Sequence, residues 1–215
     1  IVNDIDQNHQ WFSDAHYKSI KMSTSLLVYI SNIINFIENE LDLENCEHIT
    51  SLQDQNFFKK GIWIKIDNAE NKYVNSKRDL IDVKDKFENL LRKHGRNCQN
   101  VKNPIIKIHI TKERNISLQL SWSKSLELKR LLKESNKYSF SGKKNGTQTI
   151  EEAELKTICR NVTTYSDELK DQIIWHFNEF IKNFKDFYND INNISNYISS
   201  LDLILTKVYI SKKYN

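Results

Sequence analysis

Between positions 96 and 148 the chain carries twelve basic residues against three acidic ones, a local excess of nine in a protein whose net charge is only +4. Lys102, Lys107, Lys112, Arg114, Lys137, Lys143, Lys144 and Asn145 stand in the alternating and turn-rich parts of that window. Ammonium, guanidinium and amide groups at such positions project outward to meet phosphate oxygens. Their affinity comes from counterion release, so it is salt-sensitive and indifferent to base sequence. A polyanion, nucleic acid first, is the expected partner. The competing expectation is a solvated face that serves solubility.

Other chemistry finds less support. The run Gly142-Lys143-Lys144-Asn145-Gly146-Thr147 lacks the order and spacing of a phosphate-cradling loop and reads as a turn. Histidines at 9, 16, 48, 94, 109 and 176 form no paired ligand spacing, so no metal site is expected. Carboxylates are plentiful, yet no pair is set apart as acid and base, and no Ser/His/Asp or Cys/His arrangement stands out; no catalytic residue is expected. Cys46, Cys98 and Cys159 are widely spaced, which suits a reducing compartment better than a disulfide framework. No run is apolar and long enough to cross a bilayer, so no membrane partner is expected. The first residue is Ile, with no cationic-then-apolar leader, and the chain reads as a fragment or processed piece of an intracellular protein.

The elements that must position the basic window are helical. One Pro and 4 Gly leave few breakers, which favours long helices. Tyr17, Ile20, Leu27, Ile30, Ile34, Ile37 and Leu41 predict an amphipathic helix over 13–43. Ile66, Ala69, Tyr73, Leu80, Val83, Phe87 and Leu90 predict a second over 67–93, closed by Gly95 as a left-handed C-terminal residue. Ile173, Phe177, Phe180, Phe184, Phe187, Ile191, Ile194, Ile198, Leu201 and Leu205 alternate steps of four and three, a heptad seam. Ser166, ahead of Asp167 and Glu168, is the expected N-cap of that helix, which runs to about 209. Two long striped helices bury their seams most simply by lying antiparallel. In the segment between them, Ile106, Ile108 and Ile110 form one alternating face and Ile116, Leu118, Leu120 and Trp122 another, joined by a charged turn over 111–115. A short helix over 123–133 and strands near 138–140 and 147–150 complete a compact α+β element. The expected fold is mainly α: a long antiparallel, coiled-coil-like helical lever over 1–95 and 166–215, with a small α+β clamp over 96–165 inserted at its tip.

This order of elements resembles the lever and clamp regions of the MutS family of DNA mismatch-recognition ATPases, over nearly the whole chain. Phe58-Lys59-Lys60-Gly61 with Asp67 is similar to the family's F/I-x-x-G-x5-D at the start of its descending helix. The stretch from Arg114 to Ser121 is similar to the clamp strand G-Y-x-F/I-x-V/I-T/S, with Asn115 and Ile116 where the family usually has Gly-Tyr. Tyr165 to Lys170 resembles the T-x-E-L-K start of the ascending helix, and Ser200-Leu201-Asp202-Leu203 its closing x-L-D-x-L. The abundance of Asn, Lys and Ile is that of an AT-rich genome, as in a divergent viral or protozoan member.

The resemblance implies a piece of a larger machine. The clamp would hold the backbone of double-stranded DNA without reading sequence, and the lever would couple its closure to a distant ATPase domain. ATP and magnesium would belong to that missing domain, with no cofactor in this segment. The implied partners are duplex DNA, the rest of the parent chain, and a second copy through regions not present; nucleus, mitochondrion and viral replication compartment are equally open. The alternative expectation, of another class, is an antiparallel coiled-coil arm that mediates protein–protein contact or dimerisation.

Overall fold

The computed structural model describes residues 24–47, 56–96, 98–99, 103–132 and 137–214. In chain order the elements are helices α1 (Thr24–Glu40), α2 (Leu43–Glu47) and α3 (Ile64–His94), strands β1 (Lys107–Ile110) and β2 (Ile116–Ser121), helix α4 (Trp122–Leu131), strands β3 (Ser139–Gly142) and β4 (Thr147–Glu151), and helix α5 (Ala153–Phe184). A 3₁₀ turn, Lys185–Phe187, leads into helix α6 (Tyr188–Tyr214). Among the described residues no helix is long and apolar enough to cross a membrane.

The chain divides into two compact units. The larger, built on Trp63–Ile174, contains the sheet. All its pairings are antiparallel, in the order β1-β2-β4-β3. The register Ile108↔Leu118, Leu120↔Gln148 and Phe140↔Ile150 puts the apolar side chains on one face. The other face carries Lys107, His109, Ser117, Gln119, Thr147 and Thr149, the alternation expected of a sheet covered on one side only. Helices cover the apolar side: Leu80, Phe87 and Leu91 of α3, Leu128 of α4, and Leu155, Cys159 and Val162 of α5 form one buried cluster with Leu118, Leu120 and Ile150. Within this unit α3 and the first part of α5 run in opposite directions. Lys72 pairs with Glu168 at 2.7 Å, while the charge of Lys86, further along α3, acts on Glu154 near the start of α5.

In the smaller unit, Phe36 of α1 stacks on Phe180 at 5.2 Å between centroids and meets Phe187 at 5.1 Å, so the aromatic stripe is core, as its spacing implies. Phe57 and Phe58 are buried, Phe58 bridges to Leu41, and Asp42 donates its N–H to the Phe57 carbonyl at 2.8 Å.

Several expectations need correction. The last long helix begins at Ala153, not at Ser166, which lies inside α5; it breaks into a 3₁₀ turn at Lys185–Phe187 before α6 resumes. The seam is packed as far as the phenylalanines, but α6 has no buried residue, and Ile198 and Leu205 are 57% and 41% exposed. Gly95 is extended, at φ −83° and ψ 139°, not left-handed. It is required for space, since a Cβ there would stand 2.5 Å from the Leu91 carbonyl oxygen and 2.9 Å from Cys98 Sγ. Ile106, just ahead of β1, is buried, but Ile108 and Ile110 within it are 38% and 59% exposed, β1 being an edge strand of the sheet. The first helix is seen over Thr24–Glu40 and ends short of the expected 43, where α2 begins as a separate helix; positions 13–23 of the expected span lie outside the described residues.

Candidate nucleic-acid interface

The hairpin turns and strand register decide which cations meet. Lys107 opens β1 opposite Gln119, and Ser121 at the end of β2 pairs with Thr147 at the start of β4. The turn joining β3 to β4 is therefore brought beside the start of β1. Its backbone is fixed by Gly146 N–H donating to the Lys143 carbonyl at 3.0 Å and by Gln148 Nε2 donating to the same oxygen at 2.8 Å. Gly142 at φ 144° and Asn145 at φ 63° supply the left-handed conformations such a turn needs. The six-residue run 142–147 is a hairpin turn, in keeping with its sequence.

A cleft of about 710 Å³ lies at this end of the sheet. Its lining includes Lys107, Gln119, Ser121, Lys124, Asn145 and Thr147, with no carboxylate among the lining residues. Lys143 and Lys144 flank it on the turn, both exposed. Lys107, Lys143 and Lys144 form no ion pair with a described residue. Lys124, which the sequence showed only as part of the charge window, belongs to the site because α4 starts immediately after β2, placing its first turn over the strand end. Its Nζ donates to Cys98 Sγ at 3.2 Å.

The remaining predicted residues are elsewhere. Lys112 and Arg114 occupy the turn at the other end of β2, roughly 20 Å from the cleft end at the usual rise of a six-residue strand. Arg114, at φ 63°, pairs with Asp167 at 3.1 Å, and its carbonyl accepts a hydrogen bond from Thr163 Oγ1 at 3.2 Å. Lys137 is held by Glu152 at 2.6 Å and Glu154 at 2.7 Å. The bonds to these two carboxylates raise its pKa and commit its charge within the protein. Lys102 lies outside the described residues. One contiguous basic surface thus becomes two: Lys107, Lys124, Lys143, Lys144 and Asn145 at one end of the sheet, Lys112 and the paired Arg114 at the other.

Glu127 explains why part of the charge window is spent internally. It accepts from Arg130 Nη2 at 2.6 Å and from the Arg96 N–H at 2.9 Å, and these bonds, the Arg130 guanidinium foremost, hold its pKa down to about 2. The Arg130 guanidinium, which also donates to the His94 carbonyl at 3.3 Å, and the Arg96 backbone N–H therefore tie the end of α3 to α4, and the Arg130 charge is committed there.

Compared with known proteins, the chain matches no family model and no curated protein.

Proposed function

We propose that the larger unit is a sequence-independent holder of the duplex DNA backbone, the clamp portion of a MutS-like DNA mismatch repair ATPase whose nucleotide site lies in another domain. The observation that supports this reading most directly is the acid-free cleft rimmed by Lys107, Lys124, Lys143 and Lys144 at one end of an open polar sheet face. Ammonium groups spaced along strand ends and a turn suit successive backbone phosphates, and Gln119, Asn145 and Thr147 add neutral donors of the kind that fix register on a duplex without reading bases. The order of the four motifs supports the family part of the proposal.

The test is fluorescence anisotropy of a labelled DNA duplex against the full chain at low and moderate salt. Binding should weaken steeply with salt, and the triple variant Lys107→Glu, Lys143→Glu, Lys144→Glu should lower the salt slope by about one per lysine that contacts a phosphate. Unchanged binding by the variant at low salt would sink the cleft as the contact surface. The exposed apolar residues of α6, Ile198, Leu203 and Tyr209, favour a second reading, a protein-contacting arm. Absent duplex binding beside concentration-dependent self-association would select it.

A further inference from the structure

Strands β2 and β4 part halfway along the sheet. Their pairing runs from Ser121↔Thr147 to Gln119↔Thr149 and stops, whereas β2 stays paired with β1 down to Ile116↔Ile110. The bond from the Thr111 N–H to the Asn115 carbonyl sets the alternation of the β1–β2 ladder so that Ser117 faces His109. The main-chain groups of Ile116 and the Leu118 N–H face the gap that β4 leaves, although β2 is an inner strand. The divergence has a plain cause: β4 ends at Glu151 and the chain turns directly into α5 at Ala153. A cleft of about 450 Å³ opens where the strands separate, walled by β2 and β4 and floored by the face of α5 that carries Leu155, Lys156, Cys159, Arg160 and Thr163. It lies wholly within the larger unit and shares no lining residue with the basic cleft, which takes other parts of β2 and β4.

The chemistry of this cleft specifies an occupant. A strand edge presents alternating main-chain donors and acceptors, which an extended peptide satisfies by adding as a further strand. The unpaired stretch covers three residues and is closed at Gln119↔Thr149, so an added chain has no way through and must terminate there. The volume is that of a site for a small ligand or a few residues, not a whole strand. Charge chooses between the two kinds of chain end. Arg160 forms no ion pair or side-chain hydrogen bond with a described residue, and Lys156, one turn earlier, is shared with Glu151 at 3.2 Å. Two cations facing one carboxylate favour a terminal carboxylate over a terminal ammonium, and a guanidinium suits that group by its paired donors. Buried Ile150 and Leu155 offer an apolar surface to the final side chain.

We infer that this cleft captures the C-terminus of an extended partner peptide: its main chain joins β2 at Ile116 and Leu118, its carboxylate meets Arg160, and its apolar last side chain rests on Ile150 and Leu155. The inference is independent of nucleic-acid binding. It is tested on the full chain with an N-terminally fluorescein-labelled peptide of alternating Thr and Val ending in a free carboxylate. Saturable anisotropy is expected, falling at least tenfold when the same peptide is amidated at its C-terminus and by a similar factor in Arg160→Gln, with no change in Lys129→Gln. In the complex, hydrogen exchange at the Ile116 and Leu118 amides should slow. Arg160 is exposed, so its replacement leaves the fold intact, as circular dichroism would verify. Equal binding of acid and amide, unchanged binding by Arg160→Gln, preference for an internal Glu over the free terminus, or no saturable binding at millimolar peptide would each overturn the proposal.

Discussion

Glu88 shows how a single buried charge joins two parts of the larger unit. Only 8% exposed, it accepts from Arg92 Nη2 at 2.6 Å and from the backbone N–H of Ile105 at 3.3 Å, while Lys84 stands 3.6 Å from its second oxygen. Burial pushes its pKa up, but the bonds from Arg92 and Ile105 and the charge of Lys84 outweigh that and leave it below the ordinary 4.5. A carboxylate depressed in the folded state contributes stability above its unfolded pKa, and that contribution is lost as pH falls from about 4.5 through the folded value. Replacing Glu88 by Gln should therefore cost about 1 to 3 kcal/mol in urea unfolding at neutral pH. The variant should also show a shallower loss of stability below pH 4.5 than the parent chain; equal acid limbs would remove Glu88 from this role. Sequence could not reveal it. Lys84 and Arg92 at four residues either side of Glu88 read as an ordinary solvated helix face, and the deciding partner, the Ile105 amide, comes from a segment that only folding brings near.

Strands and helices were legible to different degrees because their signals have different ranges. The β1–β2 hairpin was readable from alternation, and the β3–β4 turn from its glycines, since both are local. The sheet order was not readable, because placing β4 beside β2 depends on contacts across α4 and β3 in the chain. The start of α5 is hidden from the sequence for a similar reason. Leu155, Cys159, Val162, Leu169 and Ile173 continue one buried stripe at steps of three, four and seven, with the polar Ser166 occupying a position on it that resembles a cap. At this scale the β3–β4 turn gives a sharp prediction. A Cβ on Gly142 would collide with the Thr147 carbonyl oxygen, and its φ of 144° is closed to side chains, so Gly142→Ala should destabilise by about 1 to 3 kcal/mol or force the turn to rearrange. Asn145, at φ 63°, should by contrast accept glycine at a cost within about 0.5 kcal/mol, since glycine enters that region freely. Thermal unfolding of the two variants distinguishes a turn held by backbone conformation from one held by side chains.

At the scale of the whole molecule the division of the chain departs from what periodicity implies. Stripe patterns alone make α3 and the last long helix a rod that ends where the basic insert begins, near 95 and 166. In the structure Leu80, Phe87 and Leu91 of α3 and Leu155, Cys159 and Val162 of α5 lie in the same buried cluster as the sheet, so these helices are half of its core and not a separate handle. The boundary between the two units falls instead at Ile174 and Trp175, inside α5. Every member of that cluster lies between Leu80 and Val162, so the larger unit holds its own core without help from the rest of the chain. A chain cut to residues 63–174 should therefore fold cooperatively, with an unfolding free energy in the usual range of about 5 to 15 kcal/mol. It should also bind duplex DNA with the salt slope of the full chain, because Lys107, Lys124, Lys143 and Lys144 all belong to it. A cut chain that unfolds without cooperativity would show that the cluster needs the smaller unit. A folded one that no longer binds would move the nucleic-acid surface away from the cleft and onto the helices that the cut removes.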